Sequence, residues 1–347
     1  MRTMVKRSLL AHTFAVALLL LTFASLAVGQ ASTSALYATG NFGTKLLSID
    51  LASQSVKVIG STGQVQGFSL AFDPGGSAYT LVDLFLSTAQ LATVDLKTGT
   101  ATLQGQHTLS DWLGYPQNLS IMGMVFTPDG TLLGGAMPPP SPTSIYKLDP
   151  SSSQPTLVGW SATAGELMSF GYDPTKGILY AASPSTLYTV DPATGTATYV
   201  STFSGNLGPI MGLAIDDNGA MFAADFTSSS KIYSVNPATG VTTQLFDTGT
   251  SHIHNIAFNP GSPSVQLITL LARINALALP GGIANSLSAK ISAALNAVNR
   301  SDNRTACNVI GAFSNEVDAL AGNQISQGAS QEFAFRITRL RTALGCY

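Results

Sequence analysis

Charge is scarce in this chain. Lys, Arg, Asp and Glu make up 10% of its 347 residues, so Ser, Thr, Asn and Gln must hydrate most of the surface. The scarcity is also uneven. Between residues 31 and 264 there is no Arg, and 6 Lys face 13 Asp and 1 Glu, a net charge of −8. An acidic body without Arg makes a poor partner for phosphate backbones, which argues against nucleic acid as a ligand. From residue 265 onward the sign reverses, with 6 Arg and 1 Lys against 2 Asp and 2 Glu, a net of +3. Cysteine is almost missing: Cys307 and Cys346 are the only two, both within the last 41 residues. Histidine is as rare, with His107, His252 and His254 after His12. No Gly-x-Ser-x-Gly elbow, His-Glu-x-x-His pair or phosphate-binding glycine loop is present. After the N-terminus no apolar run is long enough to span a membrane.

The N-terminus itself reads as an address. Arg2, Lys6 and Arg7 precede an apolar run from Leu9 to Val28, and small residues at Ala27, Gly29 and Ala31 offer a cleavage site. The reading is a signal peptide over residues 1–31. An uncleaved anchor is the alternative, because the run is about 20 residues, the length of a span. No Cys ends the run, so a lipid anchor is not supported. A secreted, periplasmic or cell-surface address follows, with no membrane span once the signal is cleaved. The remaining chain is long for one core and implies two domains.

The middle of the chain repeats one phrase five times. An apolar stretch ending in a turn appears as Leu70-Ala-Phe-Asp-Pro-Gly-Gly76, Met124-Val-Phe-Thr-Pro-Asp-Gly130, Phe170-Gly-Tyr-Asp-Pro-Thr-Lys-Gly177, Leu213-Ala-Ile-Asp-Asp-Asn-Gly219 and Ile256-Ala-Phe-Asn-Pro-Gly261. Measured between Phe72, Phe126, Tyr172, Ile215 and Phe258, the spacings are 54, 46, 43 and 43. A second phrase is a strand closed by a hairpin turn, as in Thr93-Val-Asp-Leu-Lys-Thr-Gly99, Thr189-Val-Asp-Pro-Ala-Thr-Gly195 and Ser234-Val-Asn-Pro-Ala-Thr-Gly240. Asp or Asn caps its own turn, Pro presets φ, and Gly accepts the left-handed conformation. One carboxylate per turn is what a hairpin uses; a calcium site needs several. Between the turns lie short runs rich in Val, Ile, Tyr, Phe and Thr, which are strands. Four strands in about 45 residues is the period of a propeller blade.

The ends of the array set the blade count. The chain enters at Ala35-Leu-Tyr-Ala-Thr39, which aligns with a second strand, and leaves after Ile256-Ala-Phe258, a first strand. Each end supplies what the other lacks. Four whole units and one shared unit predict a mainly β fold, a five-bladed β-propeller closed by N- and C-terminal strands. The repeat resembles secreted bacterial β-propellers of the quinoprotein-like, YVTN and NHL type over residues 33–262. That resemblance implies the fold and is silent on activity, because such propellers host enzymes, binders and scaffolds.

After Gly261 the period becomes helical. Leu267, Leu270, Leu271, Ile274 and Leu277 mark one face, and Ile283, Leu287, Ile291, Leu295 and Val298 a second. Ser301-Asp-Asn303 offers a cap for a third helix, and Phe333, Ile337, Leu340 and Leu344 mark a fourth. The domains are then signal 1–31, propeller 32–263 and a module of about four helices, 264–347. Cys307 opens the third helix and Cys346 follows the fourth, so antiparallel packing brings them within bridging reach. The predicted disulfide closes a loop worth roughly 3–4 kcal/mol in the chain-entropy account. Ala306 to Leu320 is similar to the helical module called FIMAH, with Ser314 departing from its apolar pattern. This implies an accessory, surface-associated role without catalysis.

Aligning the first strands yields one constellation. Six, four and three positions before each anchor, the array brings Gln66, Glu166, His252, His254 and Asn255 toward one mouth of the channel. Met122, Met168 and Met211 share the ring with His254. The loop from Ser110 to Gln117 is the longest link between blades and should overhang that mouth with Trp112 and Tyr115. Two readings follow. These residues form a small polar binding pocket, with His252, His254 and Glu166 as its metal-binding variant. Alternatively the histidines are solvated at a strand break and the methionines fill core. The expected function is a secreted, non-catalytic binding or scaffolding propeller with an unidentified extracellular ligand or protein partner and no cofactor. The alternatives are a hydrolase or lyase acting on a sugar or lactone, and an envelope structural protein.

Overall fold

The computed structural model describes residues 35–64, 67, 69–82, 90–104, 121–136, 143–161 and 164–346. Twenty strands form five four-stranded antiparallel sheets. The first to be entered is the closing blade, with β1 (Leu36–Gly40), β2 (Lys45–Asp50) and β3 (Ser55–Ser61). Blade one holds β4 (Ala71–Phe72), β5 (Ala78–Val82), β6 (Gln90–Val94) and β7 (Ala101–Leu103). Blade two holds β8 (Ile121–Phe126), β9 (Leu132–Ala136), β10 (Thr143–Leu148) and β11 (Pro155–Ser161). Blade three holds β12 (Ser169–Asp173), β13 (Ile178–Ala182), β14 (Thr186–Val190) and β15 (Ala197–Thr202). Blade four holds β16 (Ile210–Ile215), β17 (Met221–Asp225), β18 (Lys231–Val235) and β19 (Thr242–Asp247).

The last strand, β20 (Asn255–Phe258), returns to the first. It pairs antiparallel with β1 in the register Leu36↔Phe258, Tyr37↔Ala257, Ala38↔Ile256 and Thr39↔Asn255. The ring is therefore closed by the shared blade, and the five-blade expectation holds. Inner strands touch in sequence, β4 to β8 to β12 to β16 to β20 and back to β4. Apolar clusters sit between neighbouring blades. Leu46, Leu70 and Phe72 join the closing blade to blade one, for example, while Ile256, Ala224 and Ile232 join it to blade four.

The turn chemistry works as the repeat implies. At Asp191 the carboxylate accepts the Ala193 amide at 2.9 Å, the Gly195 amide returns to the Asp191 carbonyl at 2.8 Å, and Gly195 takes φ +71°. Amide hydrogen bonds of this kind hold the carboxyls of Asp95 and Asp191 below the ordinary carboxylate range. These hairpins also dock blades together. In four blades the third and fourth strands slip by one residue at a bulge. There Gly60 and Gly159 let the next blade's hairpin approach. A Cβ on either would sit 1.8 or 1.9 Å from the carbonyl oxygens of Thr98 and Thr194.

Four helices follow: α1 (Pro263–Ala276), α2 (Gly281–Asn299), α3 (Asn303–Leu320) and α4 (Gln327–Leu344). Asp302 caps α3 by accepting the Thr305 amide at 3.0 Å, and Gly345 ends α4 at φ +69°. Their common core is built from Leu270, Ile274, Ile291, Phe313, Phe333 and Ile337. Cys307 and Cys346 are disulfide-bonded, with Cα atoms 5.5 Å apart. No helix among the described residues is long and apolar enough to cross a membrane.

The helices do not stand apart from the propeller; both belong to one compact unit. Asp217, in a blade-four turn, faces Arg336 at 3.4 Å and Arg339 at 3.1 Å. Glu332 pairs with Arg336 and with Arg273, each at 2.9 Å. Gln266 donates to the Pro74 carbonyl at 2.6 Å and accepts from Arg339 at 3.1 Å. Phe335 stacks on Tyr172 with ring centroids 5.0 Å apart.

Candidate functional site

The channel has two unlike ends. First strands finish at the Pro74, Pro128, Pro174 and Pro260 turns, and α4 lies across that end. Phe335 and Arg339 close a cavity of about 100 Å³ there, whose walls include Leu70, Phe170 and Ile256. The other end, where the first strands begin, carries the residues singled out in the sequence. His254, Asn255, Ser169 and Ser69 are buried there, and Met168 is buried beside them. Gln66, Trp112 and Tyr115 lie outside the described residues.

His252 and His254 sit in the seam where the ring closes. The Asn41 amide donates to the Ser251 carbonyl at 2.7 Å, and the His254 amide to the Thr39 carbonyl at 3.0 Å. The His252 amide reaches across to the Thr227 carbonyl of blade four at 2.7 Å. The His252 ring stacks on Phe42 at 4.0 Å and 21°, and Phe226 meets it edge-on at 4.8 Å. Phe226 also meets His254 edge-on at 5.7 Å. The backbone is strained here: Asn41, Phe42 and His252 hold φ of +53°, +56° and +51°. Left-handed non-glycine residues cost on the order of 1–3 kcal/mol each and persist where the surroundings hold them. Phe42 is nevertheless 44% exposed.

No hydrogen bond or ion pair links Glu166 to His252 or His254. Glu166 is half-buried and makes no hydrogen bond or ion pair with a described residue. No group of three or more His, Cys, Asp or Glu among the described residues is placed to hold a metal. The reason is strand alternation. Ile256 packs toward blade four, so His254, two residues earlier, turns to that side and meets Phe226.

Alternation sends Asn255 the other way. Tyr37 and Ala257 pack against Leu70 and Phe72 of blade one, and Thr39 and Asn255 share their face. Asn255 is 1% exposed and Thr39 0%. Among the described residues, neither the Asn255 side-chain amide nor the Thr39 hydroxyl has a hydrogen-bond partner, and nor does His252 Nδ1. Buried groups of this kind are rarely left so. Beneath Phe226, buried Asp225 accepts from the Lys231 amide at 2.7 Å and the Tyr233 hydroxyl at 2.9 Å. Burial, then this bond, pushes the Tyr233 hydroxyl well above its ordinary range. The network pins the loop that presents Phe226.

Phe42, Phe226, Thr39 and Asp225 were not singled out from the sequence. Phe42 did carry a signal: it is the bulky residue in the turn Gly40-Asn-Phe-Gly43, where small ones are expected. Together these groups can stack and hydrogen-bond.

No protein-family model and no curated protein matches the chain. Solved structures do. A chain of a nidogen/laminin complex is similar over 66% of this chain and 99% of its own, at 14% identity and TM-score 0.44. TolB from Acinetobacter baumannii is similar over 63% of this chain and 54% of its own, at 18% identity and TM-score 0.38. The PQQ-bound aldose sugar dehydrogenase from Streptomyces coelicolor is similar over 51% of this chain and 61% of its own, at 19% identity and TM-score 0.36. At these levels the likeness is one of fold alone.

Proposed function

We propose that this protein is an exported, non-catalytic binding propeller that recognises a small polar ligand at the end of the channel where the first strands begin. The observation that carries this is the pair of buried, unpartnered side chains at the closing seam, the Asn255 amide and the Thr39 hydroxyl. An amide and a hydroxyl side by side offer two donors and several acceptors to one ligand. Phe42 and Phe226, with ring centroids 5.7 Å apart, add apolar faces at the same seam, Phe42 on a backbone held in a costly conformation. His252 and His254 frame the site, and Gln66, Trp112, Tyr115 and Glu166 are the further candidates that the sequence offers for it. Neutral donors and ring faces suit recognition more than proton transfer. The export reading is supported by the Cys307–Cys346 bridge, a bond that persists in oxidising compartments.

The test is thermal unfolding of the mature protein against a panel of monosaccharides, free amino acids and nucleosides. At least one class should raise the melting temperature, and the rise should vanish in Asn255→Leu and Phe42→Ala. A panel without effect, or a shift that survives both substitutions, removes the site.

A further inference from the structure

A second concave surface lies far from the closing seam. A cleft of about 620 Å³ runs between α4 and the turns of blades two and three. A second hollow of about 460 Å³ continues across blade three. The two share Tyr172, Gly177 and Pro192, so they form one groove. Each part has the size of a small-molecule site, and joined they suit an occupant longer than one ring.

Its chemistry is uniform. Near α4 Tyr172 and Phe335 stack on each other, 27° from parallel, with Arg339 over Phe335, and the pair lines the groove as one aromatic wall. Along blade three the hydroxyls of Thr189 and Thr198 stand opposite each other across β14 and β15. Every charge on the groove is already engaged. Lys176 pairs with Asp173 at 2.9 Å. Asp129 accepts the Thr127 hydroxyl and the Thr131 amide, and Asp191 accepts from the Ala193 amide and the Thr194 hydroxyl. Aromatic faces, free hydroxyls and satisfied charges favour a neutral, hydroxyl-rich chain. A peptide strand would seek an open backbone edge; β14 at the floor is bonded on both sides, to β13 and β15, which leaves only the outer edge of β15 for such pairing.

We infer that this groove binds a neutral linear glycan, packing one sugar ring against the Tyr172–Phe335 pair and hydrogen-bonding others along Thr189 and Thr198. The site is independent of the one at the closing seam. The test is calorimetric titration of the mature chain with cellohexaose, maltohexaose, mannohexaose and chitohexaose. Their monosaccharides, a hexagalacturonate and a proline-rich hexapeptide serve as contrasts. At least one neutral hexasaccharide should bind at about 1 mM or tighter, and at least tenfold tighter than its monosaccharide. Ala334→Arg and Thr198→Arg, at exposed positions in the two halves of the groove, should each weaken it at least tenfold without lowering the melting temperature. The inference is overturned if no hexasaccharide binds, if both arginine variants bind like the parent, or if Phe42→Ala abolishes binding. It is equally overturned if the hexagalacturonate or the peptide binds more tightly.

Discussion

Asp217→Asn is the sharpest probe of how the helices hold the propeller. In the structure three guanidiniums, Arg273, Arg336 and Arg339, share two carboxylates, Glu332 and Asp217. Arg336 and Glu332 are each 3% exposed at the side chain, and Asp217 is 11% exposed. Removing one partner of a buried pair typically costs 3–5 kcal/mol, because the other charge stays buried. Here Arg336 keeps Glu332 and the Asp217 carbonyl, and Arg339 keeps Gln266, so the loss should be smaller. A destabilisation of about 2–4 kcal/mol is expected. The measurement is a denaturant series on the parent, Asp217→Asn, Arg336→Met and the double variant. The cycle should return a coupling of about 1–3 kcal/mol. Repeating it in 1 M salt should change little, since buried pairs are weakly screened. Hydrogen exchange should quicken first in α4. A single-variant loss under about 0.5 kcal/mol, typical of surface sites, or additive losses in the cycle, would refute the reasoning.

Three further outcomes are expected. Deleting residues 252–347 removes β20 and should leave an aggregation-prone ring, whereas deleting 267–347 should leave a folded but less stable propeller; size-exclusion chromatography with circular dichroism separates the two. Burial raises the carboxyl pKa of Asp216, so its ionisation opposes folding above that pKa and the opposition fades as pH falls; Asp216→Asn should exceed the parent in melting temperature at pH 7, by a margin that closes in acid. Gly60→Ala puts a methyl against the Thr98 carbonyl and should cost about 1–3 kcal/mol by chemical denaturation, with Gly159→Ala behaving alike.

The propeller was legible because its information is local. Each Asp-Pro-x-Gly turn specifies itself through bonds spanning two to five residues, and counting strands at both ends was enough to predict that β20 meets β1. The helix faces and the Cys307–Cys346 bridge followed from the same short-range rules. The site was less legible. Aligning first strands placed His252, His254 and Asn255 at the end of the channel where those strands begin. Alignment does not say which way a side chain turns, and alternation sends His254 and Asn255 to opposite neighbours. Phe42 and Phe226 come from loops whose positions depend on the seam, a contact between distant parts of the chain. The docking of α4 was not read from the sequence, although the charges that make it, an acidic body without Arg and a tail holding six, were in plain count. Nothing near Arg336 names Asp217, 119 residues away, as its partner.

The shared blade also imposes a waiting time. Thr39 lies opposite Asn255 across β1 and β20, so the ring's first strand meets its inner neighbour only after 216 more residues have been made. At typical elongation rates of 5–20 residues per second that interval is about 10–40 s. Throughout it the inner edge of β1 has open donors and acceptors, the kind of edge that recruits strands from other molecules. Blades one to four each hold all four of their strands in sequence and can assemble in order. The closing blade alone depends on the two ends of the array finding each other. A strand that paired with β1 during those seconds would divert the chain from the closed ring.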